Sequence, residues 1–293
     1  MRTQPLRSML FVPGGRLSLI DKARRSGADA VIIDLEDAVP ASSKASAREE
    51  VAEFLRSVGD DDYPFFVRVN DLSSAEAGRD IAAIVGPGLT GVVVPKVSTG
   101  EDIRFVERLL RWTEADAGAT KRTLITPVLE TAQAIRNAYE LCAASERVAY
   151  VGGLGVKGGD VERELGYRWT PAGAETFTLR SNVLVDVRAA GVRSPVCGLW
   201  TDIDDLEGLE RFAEENRQLG YEGMIAIHPS HIATINRVFT PTAEELDHDR
   251  RLIAAMDQAA GGGTGAVVFE GRMIDEAMAE TSRLRLRRFA SDV

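Results

Sequence analysis

Two stretches of sequence decide the fold class: VIIDL at residues 31–35 and GVVVP at residues 91–95. Each is an almost continuous apolar run rich in β-branched residues, which is typical of a strand buried on both faces of a parallel sheet. Longer stretches in which apolar residues recur with helical spacing follow the runs. This alternation indicates parallel strands that are joined by helices.

The same alternation continues along the first 240 residues. Eight strands are predicted, at Ser8–Val12, Ala30–Leu35, Phe65–Val69, Gly91–Pro95, Leu124–Leu129, Val148–Gly152, Pro195–Leu199 and Gly223–Ile227. Helices are predicted from near Leu17 and near Ser43, and at Ala75–Val85, Glu101–Ala115, Ala132–Ala143, Ala174–Ala190 and Leu206–Leu219. Eight strand–helix periods within about 235 residues predict a closed (β/α)8 TIM barrel. An open doubly wound sheet is the alternative, and its nucleotide-binding form is disfavoured because no GxGxxG follows the first strand.

The last part of the chain has a different character. A charged helical pattern at Glu244–Ala260 leads into GGGTG at 261–265, a short apolar run at Ala266–Phe269 and a final helical pattern that ends in RLRLRRF. The glycine cluster indicates a hinge or flexible loop. We therefore predict a catalytic barrel over residues 1–240 and a C-terminal helical extension over residues 241–293.

Composition excludes several classes of protein. The 293 residues are 44% hydrophobic, which is enough for one barrel with an appendage. The net charge of −10 argues against nucleic acid or an anionic membrane as the main partner. Cys142 and Cys197 form no CxxC pair, so neither a disulfide framework nor a zinc site is indicated. Without a signal-peptide pattern or a spanning stretch, the expected location is the cytoplasm.

Polar residues stand at the ends of the predicted strands. Reactive groups of a (β/α)8 barrel lie at the carboxyl ends of its strands or in the loops just after them. The polar residues at these positions are Asp34, Glu36 and Asp37 after strand two, Arg68 and Asn70 after strand three, Lys96 after strand four, Glu130 after strand five, Asp160 after strand six and His228 after strand eight. So many ionisable groups at the ends of apolar strands indicate a reactive site.

Glu130 and Asp160 are the candidate metal ligands. Mg²⁺ prefers hard oxygen ligands and is commonly held by one or two carboxylates together with water and substrate oxygens. Glu130 can instead be an N-cap or first-turn acid that interacts with the dipole of the next helix. Asp160, in a glycine-rich loop, can instead be a turn-forming residue.

Arg68 ends an apolar strand, so its guanidinium needs an anionic partner. That partner can be a protein carboxylate such as Glu36, or a substrate carboxylate that is bound by two parallel hydrogen bonds. Both can hold at once.

A basic set near the N-terminus consists of Lys22, Lys44 and Arg48. A solvated helix face is the commoner role of such charges, and binding of the phosphates of a long acyl carrier is the functional alternative. His228 can act as a base, but orientation of the proline-containing loop that follows is the favoured interpretation.

Eight motifs follow one another along the chain: LRSMLFVPGGR (6–16), ADAVIIDLEDAV (28–39), FVRVN (66–70), PKV (95–97), PVLET (127–131), GGDVERELG (158–166), GMIAIHP (223–229) and FEGRMID (269–275). Together they resemble the citrate lyase beta-subunit family, whose relatives include malyl-CoA lyase and citramalyl-CoA lyase, within the class II aldolase-like superfamily. The resemblance runs from about residue 6 to the end of the chain. It implies a (β/α)8 barrel, usually a homotrimer, whose C-terminal segment closes over the site of a neighbouring subunit.

The resemblance also implies roles for particular residues. In the family, Arg68 would bind a substrate carboxylate or carbonyl oxygen, Glu130 and Asp160 would bind Mg²⁺, and Asp275 would act as the catalytic acid or base. The basic residues Lys22, Lys44 and Arg48 match positions that contact coenzyme A.

The backbone around Ile227 and His228 also matches an acyl-carrier contact, and Glu36 and Asp37 would support the site. Gly159 and Cys197 depart from the family pattern, which has acidic residues there in many members.

The expected function is magnesium-dependent cleavage or formation of a β-hydroxyacyl-CoA such as malyl-CoA or citramalyl-CoA, with an α-keto acid and an acyl-CoA as the other reactants. Three alternatives stay open. One is a thioesterase that acts on the same substrates. Another is a citrate lyase subunit that works inside a complex, which the C-terminal closing segment disfavours. The third is a non-enzymatic protein that binds CoA esters.

Overall fold

Eight parallel strands close into a barrel in the computed structural model, which describes residues 5–59, 62–154, 157–192, 194–261 and 264–289. Each strand pairs with the next, and the first pairs with the eighth. The strands are β1 (Ser8–Pro13), β2 (Ala30–Asp34), β3 (Phe65–Arg68), β4 (Gly91–Val94), β5 (Leu124–Leu129), β6 (Tyr150–Gly153), β7 (Ser194–Cys197) and β8 (Gly223–Ala226). The predicted (β/α)8 barrel is confirmed.

Helices connect the strands. They are α1 (Ile20–Arg25), α2 (Lys44–Val58), α3 (Ala75–Ile84), α4 (Gly100–Asp116), α5 (Ala132–Arg136), α6 (Ala138–Ala143), α7 (Asp160–Leu165), α8 (Ala174–Ala189), α9 (Leu206–Leu219) and α10 (Ile232–Phe239). Short 3₁₀ turns lie at Gly14–Leu19, Ala41–Ser43 and Pro229–His231. Within the described ranges, every helix is too short or too polar to cross a bilayer.

Three helices differ from the prediction, and one of them, α10, was not predicted. The single helix predicted over Ala132–Ala143 is divided at Asn137, whose φ of −101° and ψ of 19° are not helical. The amide of Asn137 donates to the carbonyl oxygen of Ser98 at 2.9 Å, a tertiary contact that helical periodicity does not reveal. Asp160, predicted to lie in a loop, is the first residue of α7. That helix has only six residues, too few for a periodic pattern to be recognised.

Alternate residues of the strands fill the interior of the barrel. Ile32, Phe66 and Val128 belong to one buried apolar cluster there, and a separate larger cluster packs the outer faces of the strands against the helices. Because side chains of a strand alternate between its two faces, the residue two positions further along points the same way. The alternation therefore directs Asp34, Arg68 and Glu130 towards the mouth of the barrel.

The chain divides into two compact units, Met1–Phe239 and Thr240–Val293. The second contains α11 (Ala243–Gly261), an antiparallel hairpin of β9 (Ala266–Phe269) and β10 (Arg272–Asp275), and α12 (Glu276–Phe289). The hairpin turns at Glu270 and Gly271, which both have positive φ values, as a two-residue type I′ turn requires. Of the glycine cluster that was interpreted as a hinge, Gly262 and Gly263 lie outside the described residues.

Candidate active site

The carboxyl ends of β2 to β6 bring the candidate residues to one end of the barrel. Strand β2 ends at Asp34, and β3 ends at Arg68, which is paired with Asp34 in the register of the two strands. Lys96 and Glu130 follow β4 and β5. Neighbouring strands thus place acidic and basic side chains side by side.

Asp34 is the main partner of Arg68. Its two oxygens accept hydrogen bonds from Nε and Nη2 of the guanidinium, each at 2.7 Å. The same carboxylate accepts the backbone N–H groups of Glu36 at 2.9 Å and Ala38 at 3.0 Å. Burial alone would lower the pKa of Arg68, but hydrogen bonds and charge interactions with Asp34 raise it, so Arg68 stays a cation. Asp34 therefore fixes both the guanidinium and the turn that carries the other acids.

Glu36, the carboxylate partner that the sequence predicted for Arg68, has a second role in the structure. Its Oε2 lies 2.9 Å from Nη1 of Arg68, and its Oε1 accepts a hydrogen bond from Nζ of Lys96 at 2.6 Å. Burial raises the pKa of Glu36, whereas the two cations oppose this shift. The carboxylate thus bridges two cationic side chains, and Asp34 was the partner of Arg68 that sequence reasoning missed.

The alternation of side chains between the two faces of β2 could have identified Asp34 from the sequence. Ala30, Ile32 and Asp34 alternate along β2, so Asp34 faces inwards with the apolar residues of the barrel interior. A carboxylate in that position needs a cationic or donor partner, because a charge buried without one is costly. The inward phase of Arg68 on the adjacent strand supplies that partner.

The side chain of Glu130 is partly removed from water, and the hydrogen bond to its Oε1 comes from an uncharged group. The donor to that oxygen is the backbone N–H of Lys96, at 2.7 Å. Burial, together with the negative charges of Glu36 and Asp160, raises the pKa of Glu130 to about 7, although the N–H of Lys96 and the charge of Arg68 act against this shift. The alternative role at the start of α5 does not hold, because Thr131 is the N-cap and accepts the N–H of Ala134.

Asp160 lies close enough to Glu130 for its charge to affect that carboxyl group. One of its oxygens lies 2.5 Å from Nη2 of Arg163, a side chain that is 77% exposed and three residues further along α7. Surface ion pairs of this kind contribute little and are easily exchanged. In the structure, the two predicted metal ligands therefore lie close enough for the charge of one to raise the pKa of the other.

The donor set fits a magnesium ion. No group of three or more His, Cys, Asp or Glu side chains that could hold a metal occurs among the described residues. One or two carboxylates are the usual protein contribution to a Mg²⁺ site, since the ion keeps further positions for water and substrate oxygens. A divalent cation would also offset the burial and the like charges that raise the pKa of Glu130.

The predicted basic set is separated by the structure. Lys22 is exposed on α1. Nζ of Lys44 donates to the carbonyl oxygens of Leu35 and Glu36, each at 3.0 Å, and to Asn70. Lys44 therefore holds the turn after β2 against Asn70, two residues after the end of β3. Of the three residues of the basic set, Lys22 alone makes no side-chain hydrogen bond or ion pair in the described part of the chain.

Arg48 is buried within a polar network beside the mouth. Its Nε donates to Asp80 at 2.7 Å, and its Nη2 pairs with Glu76. Asp80 also accepts the backbone and side-chain N–H groups of Asn70, at 2.9 and 2.7 Å. These contacts connect Arg48 to the turn that Lys44 holds, so both residues have structural roles in addition to any contact with a ligand.

The remaining predicted residues lie elsewhere. Ile227, just after β8, is 38% exposed, and Nδ1 of His228 lies 2.7 Å from Oγ of Ser230 at the start of a 3₁₀ turn. Asp275 is the last residue of β10, in the second unit. Its Oδ1 accepts the N–H of Met278 at 3.2 Å, so it caps α12.

A family model described as HpcH/HpaI aldolase/citrate lyase matches residues 7–229, which include all eight strands of the barrel. The chain belongs to this HpcH/HpaI aldolase/citrate lyase family. Membership confirms the predicted class of activity, a carbon–carbon lyase.

Similar proteins cover nearly the whole chain. A citrate lyase subunit beta-like protein of Deinococcus radiodurans is 38% identical and covers 96% of both chains. An L-malyl-CoA/beta-methylmalyl-CoA lyase of Cereibacter sphaeroides is 30% identical, over 97% of this chain and 94% of the relative. The crystal structure of the CitE protein of Mycobacterium tuberculosis in complex with magnesium, acetoacetate and coenzyme A is 27% identical, with a TM-score of 0.73 and 98% coverage of both chains.

Asp34 is expected to be the main structural support of Arg68 in this family member. The Asp34→Asn variant should lower the free energy of unfolding by about 3 kcal/mol, because it leaves a buried guanidinium with only part of its counter-charge. Denaturant unfolding of the purified protein measures the change.

The matched control is Asp37→Asn. Asp37 is 65% exposed and lies 3.7 Å from Arg68, so its loss should change stability by less than about 0.5 kcal/mol. Equal effects of the two substitutions would contradict the assignment of Asp34.

Proposed function

We propose that the protein is a magnesium-dependent lyase that cleaves or forms the carbon–carbon bond of a β-hydroxyacyl-CoA such as malyl-CoA or citramalyl-CoA. The products of cleavage would be an α-keto acid and an acyl-CoA. The observation that carries the proposal is electrostatic. At the mouth of the barrel, the charges of Asp160 and Arg68 both act on the carboxyl group of Glu130. The relatives that are named as lyases of malyl-CoA, and the magnesium in the CitE complex, support it.

Cleavage creates negative charge in two places. The hydroxyl group of the substrate gives its proton to solvent as it becomes the carbonyl group of the keto acid, and the bond to the α-carbon of the thioester breaks. The electron pair of that bond forms the enolate of the acyl-CoA, which then takes up a proton at its α-carbon. Magnesium, held by Glu130 and Asp160, would supply Lewis-acid stabilisation of the keto-acid oxygens.

Arg68 would bind the carboxylate of the keto-acid part. Asp34 holds its Nε and Nη2 on one side and Oε2 of Glu36 lies 2.9 Å from Nη1, so a substrate carboxylate would use the remaining N–H groups along the edge formed by Nη1 and Nη2. A carboxylate can accept two parallel hydrogen bonds along such an edge. The fixed orientation stabilises charge without reorganisation during the reaction.

Asp275 would be the general acid that protonates the enolate, and the base in the reverse direction. We propose that residues 241–293 act as a segment that closes over the site of a neighbouring subunit in a homotrimer. Closure would exclude water from the enolate. On the coenzyme A side, the proposed contacts are Lys22, Lys44, Arg48 and the backbone at Ile227 and His228, with Glu36 and Asp37 in support of the site.

The experiment is a product analysis of the purified chain with Mg²⁺ and a panel that contains malyl-CoA and citramalyl-CoA. An α-keto acid together with an acyl-CoA is the expected result. If the products are free coenzyme A and the hydroxy acid, the protein is a thioesterase and not a lyase. Absence of turnover across the panel, in a protein that binds Mg²⁺, would contradict the proposal.

A second candidate is a subunit of a citrate lyase complex, which the name of the Deinococcus relative favours. A subunit of this kind would act only with its partner proteins. Turnover of a free CoA ester by the chain alone would exclude it.

Removal of either proposed ligand should abolish magnesium binding. The Glu130→Gln and Asp160→Asn variants should each weaken Mg²⁺ binding at least about 100-fold, because each removes one of only two carboxylate ligands. Isothermal titration calorimetry measures the affinity.

Glu164→Gln is the control. Glu164 also lies on α7, and its side-chain oxygen accepts the N–H of Ala132, which a glutamine oxygen can still do. Its Mg²⁺ affinity should stay within about threefold of the wild type. Wild-type affinity in both ligand variants would disprove the metal assignment.

Magnesium affinity should depend on pH with a midpoint near 7. Because burial raises the pKa of Glu130 to about 7, the metal-free protein holds a proton there below this pH, and Mg²⁺ must displace it. The affinity should therefore fall about tenfold for each unit of decrease in pH below 7, and level off above it. Calorimetry between pH 6 and pH 8 gives the profile, and an affinity that stays constant over this range would contradict the account.

Asp275→Asn separates the chemical role of Asp275 from its structural role. Asparagine caps a helix as well as aspartate does, so the melting temperature should not change. Turnover should fall by about 100-fold or more because asparagine cannot transfer a proton, whereas the dissociation constant of acetyl-CoA should stay the same. If acetyl-CoA binding weakens and turnover does not fall, Asp275 is not the acid or base.

A further inference from the structure

We propose that Lys96 is a positioning residue that orients the candidate active site in two independent ways. Its peptide N–H holds Glu130, and its ammonium group holds Glu36 against Arg68. The inference deepens the proposed function, on which it rests, because it concerns the same magnesium and keto-acid site.

The backbone of Lys96 has an unusual conformation. Its φ is +51°, in the left-handed region that residues with a side chain avoid at a cost of about 1–2 kcal/mol. In this conformation the peptide N–H donates to Oε1 of Glu130 at 2.7 Å. A strained residue at the end of a barrel strand, directly bonded to a candidate metal ligand, indicates a functional constraint.

The side chain of Lys96 turns towards a different carboxylate. Nζ donates to Oε1 of Glu36 at 2.6 Å and lies 3.9 Å from Asp37. The side chain keeps 35% of its surface exposed, whereas that of Glu36 keeps 6%. A solvent-accessible cation is thus held against a buried carboxylate.

Glu36 transmits this contact to Arg68. Its other oxygen, Oε2, lies 2.9 Å from Nη1 of Arg68, the nitrogen that Asp34 leaves without a hydrogen bond. With Lys96 in place, Glu36 divides its charge between two cations. Without the ammonium group, Glu36 would pair with Arg68 alone and compete with a substrate carboxylate for the same nitrogen.

The two contacts predict a separation between metal binding and keto-acid binding. Loss of the ammonium group should weaken binding of an α-keto acid to the magnesium-loaded protein, because that binding depends on Arg68. It should leave magnesium binding unchanged, because the peptide N–H that holds Glu130 remains. Substitutions in the outer contacts of a metal site typically change affinity or activity 10–100-fold.

The test uses three variants of Lys96. Lys96→Met keeps the length of the side chain without its charge, Lys96→Arg keeps the charge, and Lys96→Gly removes the side chain while it tolerates the positive φ. Calorimetry measures the dissociation constants of Mg²⁺ and of pyruvate in the presence of Mg²⁺, and thermal unfolding measures stability.

In Lys96→Met and Lys96→Gly, we expect pyruvate affinity to fall at least tenfold with the Mg²⁺ affinity within threefold of the wild type. Lys96→Arg should recover pyruvate affinity to within about fivefold. Lys96→Gly should melt no lower than Lys96→Met, since it relieves the strain. On the substrate that the product analysis identifies, the loss in Lys96→Met should appear in both kcat and KM.

Several outcomes would overturn the proposal. Wild-type pyruvate affinity in Lys96→Met and Lys96→Gly would show that the ammonium group does not position Arg68. An equal loss of Mg²⁺ affinity would show that the side chain, rather than the peptide, holds Glu130. A loss confined to kcat would make Lys96 a participant in the chemical step instead of a positioning residue.

The binding measurements do not depend on turnover. If wild-type protein binds Mg²⁺ and pyruvate but converts none of the CoA esters, the proposed function fails while the role of Lys96 is still decided by the variants.

Discussion

The ion pair between Asp34 and Arg68 is the interaction on which the candidate site depends. It joins β2 and β3 at the carboxyl end of the barrel with two hydrogen bonds of 2.7 Å. Asp34 also accepts two backbone N–H groups of the following turn, so the same carboxylate determines where Glu36 lies. A guanidinium that is held in this way has a fixed orientation, and its charge remains balanced.

Around this pair, the distribution of charge favours a divalent cation. Glu36 is shared between Arg68 and Lys96, whereas Glu130 receives its hydrogen bond from an uncharged peptide group. Burial and the nearby negative charges therefore act on Glu130, and they raise the pKa of its carboxyl group to about 7. An ion held by Glu130 and Asp160 would offset this cost and would supply Lewis-acid stabilisation of keto-acid oxygens. In the proposed reaction, metal binding and recognition of a keto acid would therefore depend on one another.

Much of this arrangement follows from the sequence, and the missing parts have physical reasons. The runs VIIDL and GVVVP predicted the buried parallel strands, and the strand ends predicted Arg68, Glu130 and Asp160 as a group. The partner Asp34 was missed because strand register, which places it beside Arg68, is a tertiary property. The division of a predicted helix at Asn137 depends on a contact with Ser98. The left-handed backbone of Lys96 has no signal in the sequence, because lysine rarely adopts it.

The most direct measurement is the anomalous scattering of crystals grown with Mn²⁺ in place of Mg²⁺ and with pyruvate. The account predicts one strong peak at the mouth of the barrel, within coordination distance of one oxygen each from Glu130 and Asp160, with the pyruvate carboxylate against Arg68. A peak that contacts only one of these two carboxylates, or a peak elsewhere on the protein, would contradict it.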